Sequence, residues 1–512
     1  VTLSGQVEDA DAVTAKAAAR RRLLAFDDAF RNPEAKLTLE PDETFDGQRV
    51  QVLRVTFDAR NRDDLLLDPA TGALIAERLT EDGDTTVVRY SDWRTVEGVK
   101  VAFKEVQRVA DDPIVTTITL TDVDIDPKAE PKAFARPKPR KLYAFVGGET
   151  STQPLPFEFH LGSRIYIPAA VNGQETHVLL DSGAEATVLD KAFAESLGLK
   201  PTAIVPAVGT GGRDVAELVS GVTVRVGSVE LRDMTVALID LKPISAMMGR
   251  PLPVILGKEV LNDLTVDLDF ANKTIAFHDP AAYRAPADAV PVPVTSAGGV
   301  HAIPARIEGG EPVLMDFDLG NGGSLLVFPH YWKPRDMLAD RPTSQALSGA
   351  IGGMKPRNVA TVKSLTLAGV TFENVPAVFG EDDGSAFGNS RTMGNIGMPI
   401  LSRFRLTTDY SRGRILLTSR PEAVGQPFPR DRSGFGGRLG ENGFSVRFVS
   451  PGSPAEAAGL KAGDVITALN GKPAAGLELA EVNAARMGPA GSTLTLTVAN
   501  GETRTLTLAD YY

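Results

Sequence analysis

Ile167-Pro-Ala-Ala-Val-Asn-Gly-Gln-Glu-Thr-His-Val-Leu-Leu-Asp181-Ser182-Gly183-Ala184 and Ile303-Pro-Ala-Arg-Ile-Glu-Gly-Gly-Glu-Pro-Val-Leu-Met-Asp-Phe-Asp318-Leu319-Gly320-Asn321 are two versions of one pattern. Each runs Ile-Pro-Ala, a strand, a Gly-containing turn, a second strand, then Asp-x-Gly. Gly pairs follow at Gly211-Gly212 and Gly352-Gly353, then strands at Val222–Val226 and Val362–Leu367. Both copies close on an apolar-Gly element, Ile255-Leu256-Gly257 and Asn395-Ile396-Gly397, and on similar tails, Val266-Asp-Leu-Asp269 and Leu406-Thr-Thr-Asp409. Agreement in order, residue type and spacing marks an internal repeat, which decides the architecture. The copies occupy residues 150–285 and 290–422.

The rest of the chain divides around this repeat. Residues 1–145 read as an α+β region with its linker. A helix is expected over Ala12–Phe30, which contains neither Pro nor Gly. Strands are expected at Val50–Phe57, Asp64–Leu67, Ala73–Leu79, Thr85–Tyr90, Val99–Val106 and Ile114–Val123. Pro127, Pro131, Pro137 and Pro139 with interspersed Lys and Arg read as a solvated, semi-rigid linker. Residues 428–512 carry a pattern of their own. Gly434-Phe435-Gly436-Gly437 is followed by Ser450-Pro-Gly-Ser-Pro454, Ala458-Gly459-Leu460, Gly463-Asp464-Val-Ile466 and Asn470-Gly471.

Composition bounds the function. The 512 residues are 43% apolar and 23% charged, which is ordinary for folded protein, and the length suggests about three to five domains. The 49 Gly and 35 Pro favour many short strands, so a mainly β multidomain fold is expected. A net charge of -11 gives no basic footprint for nucleic acid. No apolar run approaches the roughly 18 residues of a membrane span. With no Cys there is no thiol nucleophile and no Cys-ligated metal. The five His show no metal spacing, and neither a Gly-x-Ser-x-Gly elbow nor a phosphate-binding Gly-rich loop occurs. Trp93 and Trp332 read as core or pocket-wall residues.

The two aspartates carry the chemistry. Asp-Ser-Gly alone is a common turn, but here the repeat supplies an equivalent Asp. Two lobes about a pseudo-twofold axis would bring Asp181 and Asp318 face to face. Paired carboxylates share one proton, so one acts as base on a water and the other as acid toward a carbonyl.

These residues resemble the retropepsin-like and pepsin-like aspartic proteases over residues of about 155–420. The resemblance implies duplicated β-barrel lobes and an Asp181/Asp318 catalytic dyad. Ser182, Gly183, Leu319 and Gly320 would support the dyad loops, and the flaps would carry Gly209, Gly211, Gly212, Gly352 and Gly353. Leu319 departs from the pattern, since the family has Ser or Thr there. Glu185 is also unusual beside the motif and is expected to face solvent. The C-terminal pattern resembles a PDZ domain of bacterial envelope proteases, with Gly434, Phe435, Gly436 and Gly437 in the carboxylate-binding loop and a helix over Leu479–Met487 as the other wall. Residues 1–145 faintly resemble a lipoprotein carrier.

The expected function is therefore an endopeptidase acting on a peptide or protein, with a substrate C-terminus at the PDZ domain and no cofactor or metal. A monomer is expected. A chain starting at Val1 is read as having lost either a signal peptide or, by truncation, more of its front; the first is expected, which would place it in a bacterial periplasm or outside the cell. The alternatives are a protease-like scaffold that binds peptides or lipoproteins without cutting them, and pairing of first lobes between two chains with the second as a cover. For the PDZ domain, the alternative is simple docking on its neighbour.

Overall fold

The computed structural model describes residues 10, 12–25, 35–81, 84–109, 114–128, 130–138, 141–388 and 391–512. They fall into two units, one within residues 8–138 and the other within 139–512.

The first unit holds helix Ala12–Ala25 and one seven-stranded antiparallel sheet in chain order. Residues 26–30 of the expected helix lie outside the described residues. Strand Lys36–Phe45 is absent from the sequence reading, because its charges and Pro41 mask the alternation. A register shift between Glu40 and Glu43 accommodates that proline. Trp93, expected in a core or a pocket wall, is 44% exposed.

In the second unit the repeat appears as two lobes of like topology. In the first, strand Arg164–Val171 pairs with Gln174–Leu180, which runs parallel to Val254–Leu256. Val188–Asp190 covers the other edge of that short strand. The second lobe repeats this with Val300–Ile307, Val313–Phe317, Gly394–Ile396 and Leu325–Val327. Tyr143–Phe145, placed with residues 1–145 by the sequence, pairs instead with Val229–Ile239 of the first lobe.

A six-stranded sheet joins the lobes. Thr265–Asp269 and Phe404–Asp409 lie side by side at its centre. Asp267 pairs with Thr407, its own counterpart in the repeat, so the pseudo-twofold axis passes between these strands. Val266, Leu268, Leu406, Ile415 and Leu417 are fully buried there in one core shared by both lobes.

Residues 435–507 form a separate sheet with its own core around Phe435, Phe444, Ile466 and Leu496. This domain touches both lobes. Ser344 Oγ donates to Pro451 O at 2.5 Å, and Arg430 Nη2 donates to Thr361 Oγ1 at 2.7 Å. Gly249 of the first lobe lies against Leu479.

The glycines of the apolar-Gly elements admit the loops that follow each Asp. A Cβ on Gly397 would stand 2.6 Å from Asn321 O, although its φ of -108° suits any residue. Gly397→Ala is therefore expected to cost about 1–3 kcal/mol by overpacking. Gly425→Ala, with helical backbone and nothing within 4 Å, should stay within about 0.5 kcal/mol of wild type. Urea midpoints of the two variants measure the difference, and equal midpoints would refute the packing argument.

Candidate active site

Each Asp leaves its strand at the level of the apolar-Gly element. Asp181 N donates to Leu256 O at 3.0 Å, and Asp318 N donates to Ile396 O at 3.2 Å. Each chain then turns tightly around its own carboxylate. Asp181 Oδ1 accepts from Gly183 N at 2.8 Å and Ala184 N at 3.2 Å. Asp318 Oδ1 accepts from Gly320 N at 2.8 Å and Asn321 N at 3.1 Å. The Gly of each Asp-x-Gly makes room for the opposite carboxyl. A Cβ on Gly183 would lie 2.7 Å from Asp318 Cγ, and one on Gly320 would run into the Asp181 carboxyl. The two carboxyls thus pack across the twofold axis within one chain.

The middle residues of the motif differ. Ser182 is fully buried; its Oγ donates to Phe317 O at 2.8 Å and accepts from Leu319 N at 2.9 Å. One hydroxyl therefore spans the two Asp loops. Leu319, also fully buried, has no hydroxyl to return the contact and packs into the shared core. The second lobe has a different polar group. Asn395 Nδ2 donates to Asp318 Oδ2 at 2.6 Å, and Asn321 Nδ2 donates to Asn395 Oδ1 at 2.8 Å. Sequence reasoning missed Asn395. The only signal was a polar residue in an apolar-Gly element whose first-lobe counterpart is Ile255.

Burial, and next the charge of Asp318, push the Asp181 carboxyl up to about 7, against the Gly183 N–H and the Arg164 cation. Arg164 was also missed. Tyr166 pairs with Leu179, so Arg164 stands level with Asp181 on the neighbouring strand. Its guanidinium lies where a side chain on Gly322 would be, and Nη1 donates to Ser163 O at 3.1 Å. It is within electrostatic reach of both aspartates. Asp316, two residues before Asp318, is pushed up to about 8, first by burial. Glu185 is exposed, with its carboxylate against Gly299.

The Gly-rich hairpins meet at their tips. Ala203–Gly209 turns into Gly212–Val226, and Thr343–Ala350 into Gly353–Leu367. Gly211 N donates to Ile351 O at 3.0 Å. A Cβ on Gly209 would lie 2.7 Å from Ile351 Cβ, and one on Gly352 would run into Gly212. Gly209, Gly211, Gly212, Gly352 and Gly353 are thus gathered at one crossing. Ile351 also packs into the cluster that includes Ala184, Val205 and Ala207.

Gly434, Phe435, Gly436 and Gly437 lie apart from this centre, in the other core. Ser433 N and Gly434 N donate to the Asp431 carboxylate at 3.0 and 3.2 Å, and Arg486 Nη2 reaches it at 3.0 Å. Phe435–Gly440 is the terminal strand of its sheet, and helix Leu479–Arg486 belongs to the same domain.

Residues 167–260 match the family model of an aspartyl protease, and residues 425–499 match that of a PDZ domain. No curated protein matches the chain. Among solved structures it is similar to a retropepsin-like aspartic protease from Rickettsia conorii, at 19% identity over 26% of this chain and 92% of that one, TM-score 0.19. It is also similar to Basic 7S globulin from soybean, at 10% identity over 54% of this chain and 96% of that one, TM-score 0.34. A third likeness is to a putative outer membrane lipoprotein-sorting protein domain from Vibrio parahaemolyticus, at 17% identity and TM-score 0.18. It covers 20% of this chain, which spans 46% of that domain. The chain is a mainly β multidomain protein with an aspartyl protease domain and a PDZ domain.

Proposed function

We propose that the two lobes form an aspartic endopeptidase in which Asp181 and Asp318 activate one water, with the PDZ domain recruiting substrate. The observation that carries this reading is the reciprocal packing of each Asp-x-Gly glycine on the opposite carboxyl.

The roles follow from unequal hydrogen bonding. Asp318 receives three N–H donors and Asp181 two. Donors stabilise the charged form, so the shared proton sits on Asp181. Asp318 then takes a proton from the water as its oxygen attacks the peptide carbonyl carbon. Asp181 gives its proton to the carbonyl oxygen. The tetrahedral intermediate collapses as the C–N bond breaks and the leaving nitrogen takes a proton from the pair. The substrate strand lies under the hairpins that meet at Gly211 and Ile351.

Cleavage of casein tests the reading. Asp181→Asn and Asp318→Asn should each lower kcat/KM by about a thousandfold. Loss only in Asp181→Asn would indicate pairing of first lobes between chains. Leu319 favours a second reading, a peptide-binding scaffold, because half of the hydroxyl bridging is missing. That reading gains if wild type binds casein and never cuts it.

The pH profile follows from the raised Asp181. A carboxyl pushed up to about 7 keeps its proton through the acidic range and loses it as pH rises through neutrality, so kcat/KM should fall there. The Arg164 cation favours the ionised pair. Arg164→Met should therefore move this fall to higher pH. A uniform loss at every pH, with the fall unmoved, would make Arg164 merely structural.

A further inference from the structure

The terminal strand Phe435–Gly440 pairs with Gly443–Val449 on one side, and its other edge ends the sheet. Such an edge takes an added peptide strand. With a terminal carboxylate at Gly434–Gly437, the residues before it run along the strand toward Gly440. The far end of that strand opens on a cavity of about 550 Å³, lined by Lys242, Arg250 and Leu252 of the first lobe and by Arg438 and Leu439. This is within the usual range of ligand pockets, about 300–1,000 Å³. Gly249 closes the same corner: a Cβ there would touch Leu479 Cβ at 3.1 Å, on the helix that walls the PDZ groove.

The charges in the cavity are unequal. Lys242 and Arg438 are exposed, and neither side chain has an ion-pair partner among the described residues. Arg250 is already engaged, with Glu158 at 2.5 Å and over the Tyr166 ring at 3.9 Å. Asp190 lines the cavity too, but its carboxylate accepts from Leu241 N at 2.9 Å and Phe193 N at 3.4 Å.

We propose that the PDZ groove and the Lys242–Pro253 segment of the first lobe form one composite peptide site. The PDZ domain takes the C-terminal carboxylate, and Lys242 with Arg438 select acidic residues a few positions before it. This inference rests on the reading of the PDZ domain as a peptide binder. It gives the protease lobe a part in choosing substrate ends away from the dyad.

Fluorescence anisotropy on the full chain carrying Asp181→Asn, which spares the probe from cleavage, tests it. The probes are a fluorescein-labelled peptide of about ten residues with four glutamates before a free Val terminus, and its glutamine counterpart. The glutamate peptide should bind about fivefold tighter or more at low salt, and the preference should shrink as salt rises. In the double variant Lys242→Ala, Arg438→Ala the preference should vanish while the glutamine peptide binds as before. Equal affinities for the two peptides, or a preference that survives the double variant, would overturn the composite site and leave the PDZ reading intact. Binding of neither peptide would overturn both.

Discussion

Two half-buried carboxyls packed against each other repel strongly if both ionise. At about 4 Å and an effective dielectric near 20, the repulsion is about 4 kcal/mol. The polar groups around the pair act against that repulsion. Backbone N–H groups of Gly183, Ala184, Gly320 and Asn321 point at the two inner oxygens. The Ser182 hydroxyl ties the two loops together. Arg164 adds a cation beside both. What remains is relieved by keeping one proton on the pair, which is the state that general acid–base hydrolysis requires.

A symmetric pair would leave that proton with no preferred side. Duplication within one chain lets the lobes differ. The first lobe has a hydroxyl at Ser182 and an aliphatic side chain at Ile255. The second has the aliphatic Leu319 and an amide at Asn395. The second lobe therefore lacks a bridge to its neighbour but holds its own carboxylate with an extra donor. Leu319 is thus one half of an exchange in which the second lobe gives up the bridging hydroxyl and gains the Asn395 donor on Asp318.

The repeat and both aspartates were legible because they depend on local pattern: apolar strands, a turn tripeptide, and glycines at matched spacing. Asn395 and Arg164 were not, because their meaning lies in register. Asn395 looks like one more residue of an apolar-Gly element until that strand is laid beside Val313–Phe317. Arg164 lies 17 positions before Asp181 and meets it only when two strands pair. Tyr143–Phe145 followed a proline-rich linker, and only its pairing with Val229–Ile239 shows that it belongs to the lobe. Trp93 was misjudged because a residue type suggests burial on average, whereas its place on a particular strand leaves it exposed.

The hairpin crossing sets a different balance. At its tips the two flaps meet through backbone, with Gly211 donating to Ile351 O and Gly352 against Gly212. That hydrogen bond contributes about 1 kcal/mol net, and the packing of Ile351 beside Ala184, Val205 and Ala207 adds apolar burial to it. The opposite end of the second hairpin has its own ties. Ser344 and Thr361 lie on its two strands, away from the tip, and both bond to the PDZ domain side. The second hairpin is thus tied to the first lobe at its tip and to the PDZ domain side at its root, so three parts of the chain meet along one element.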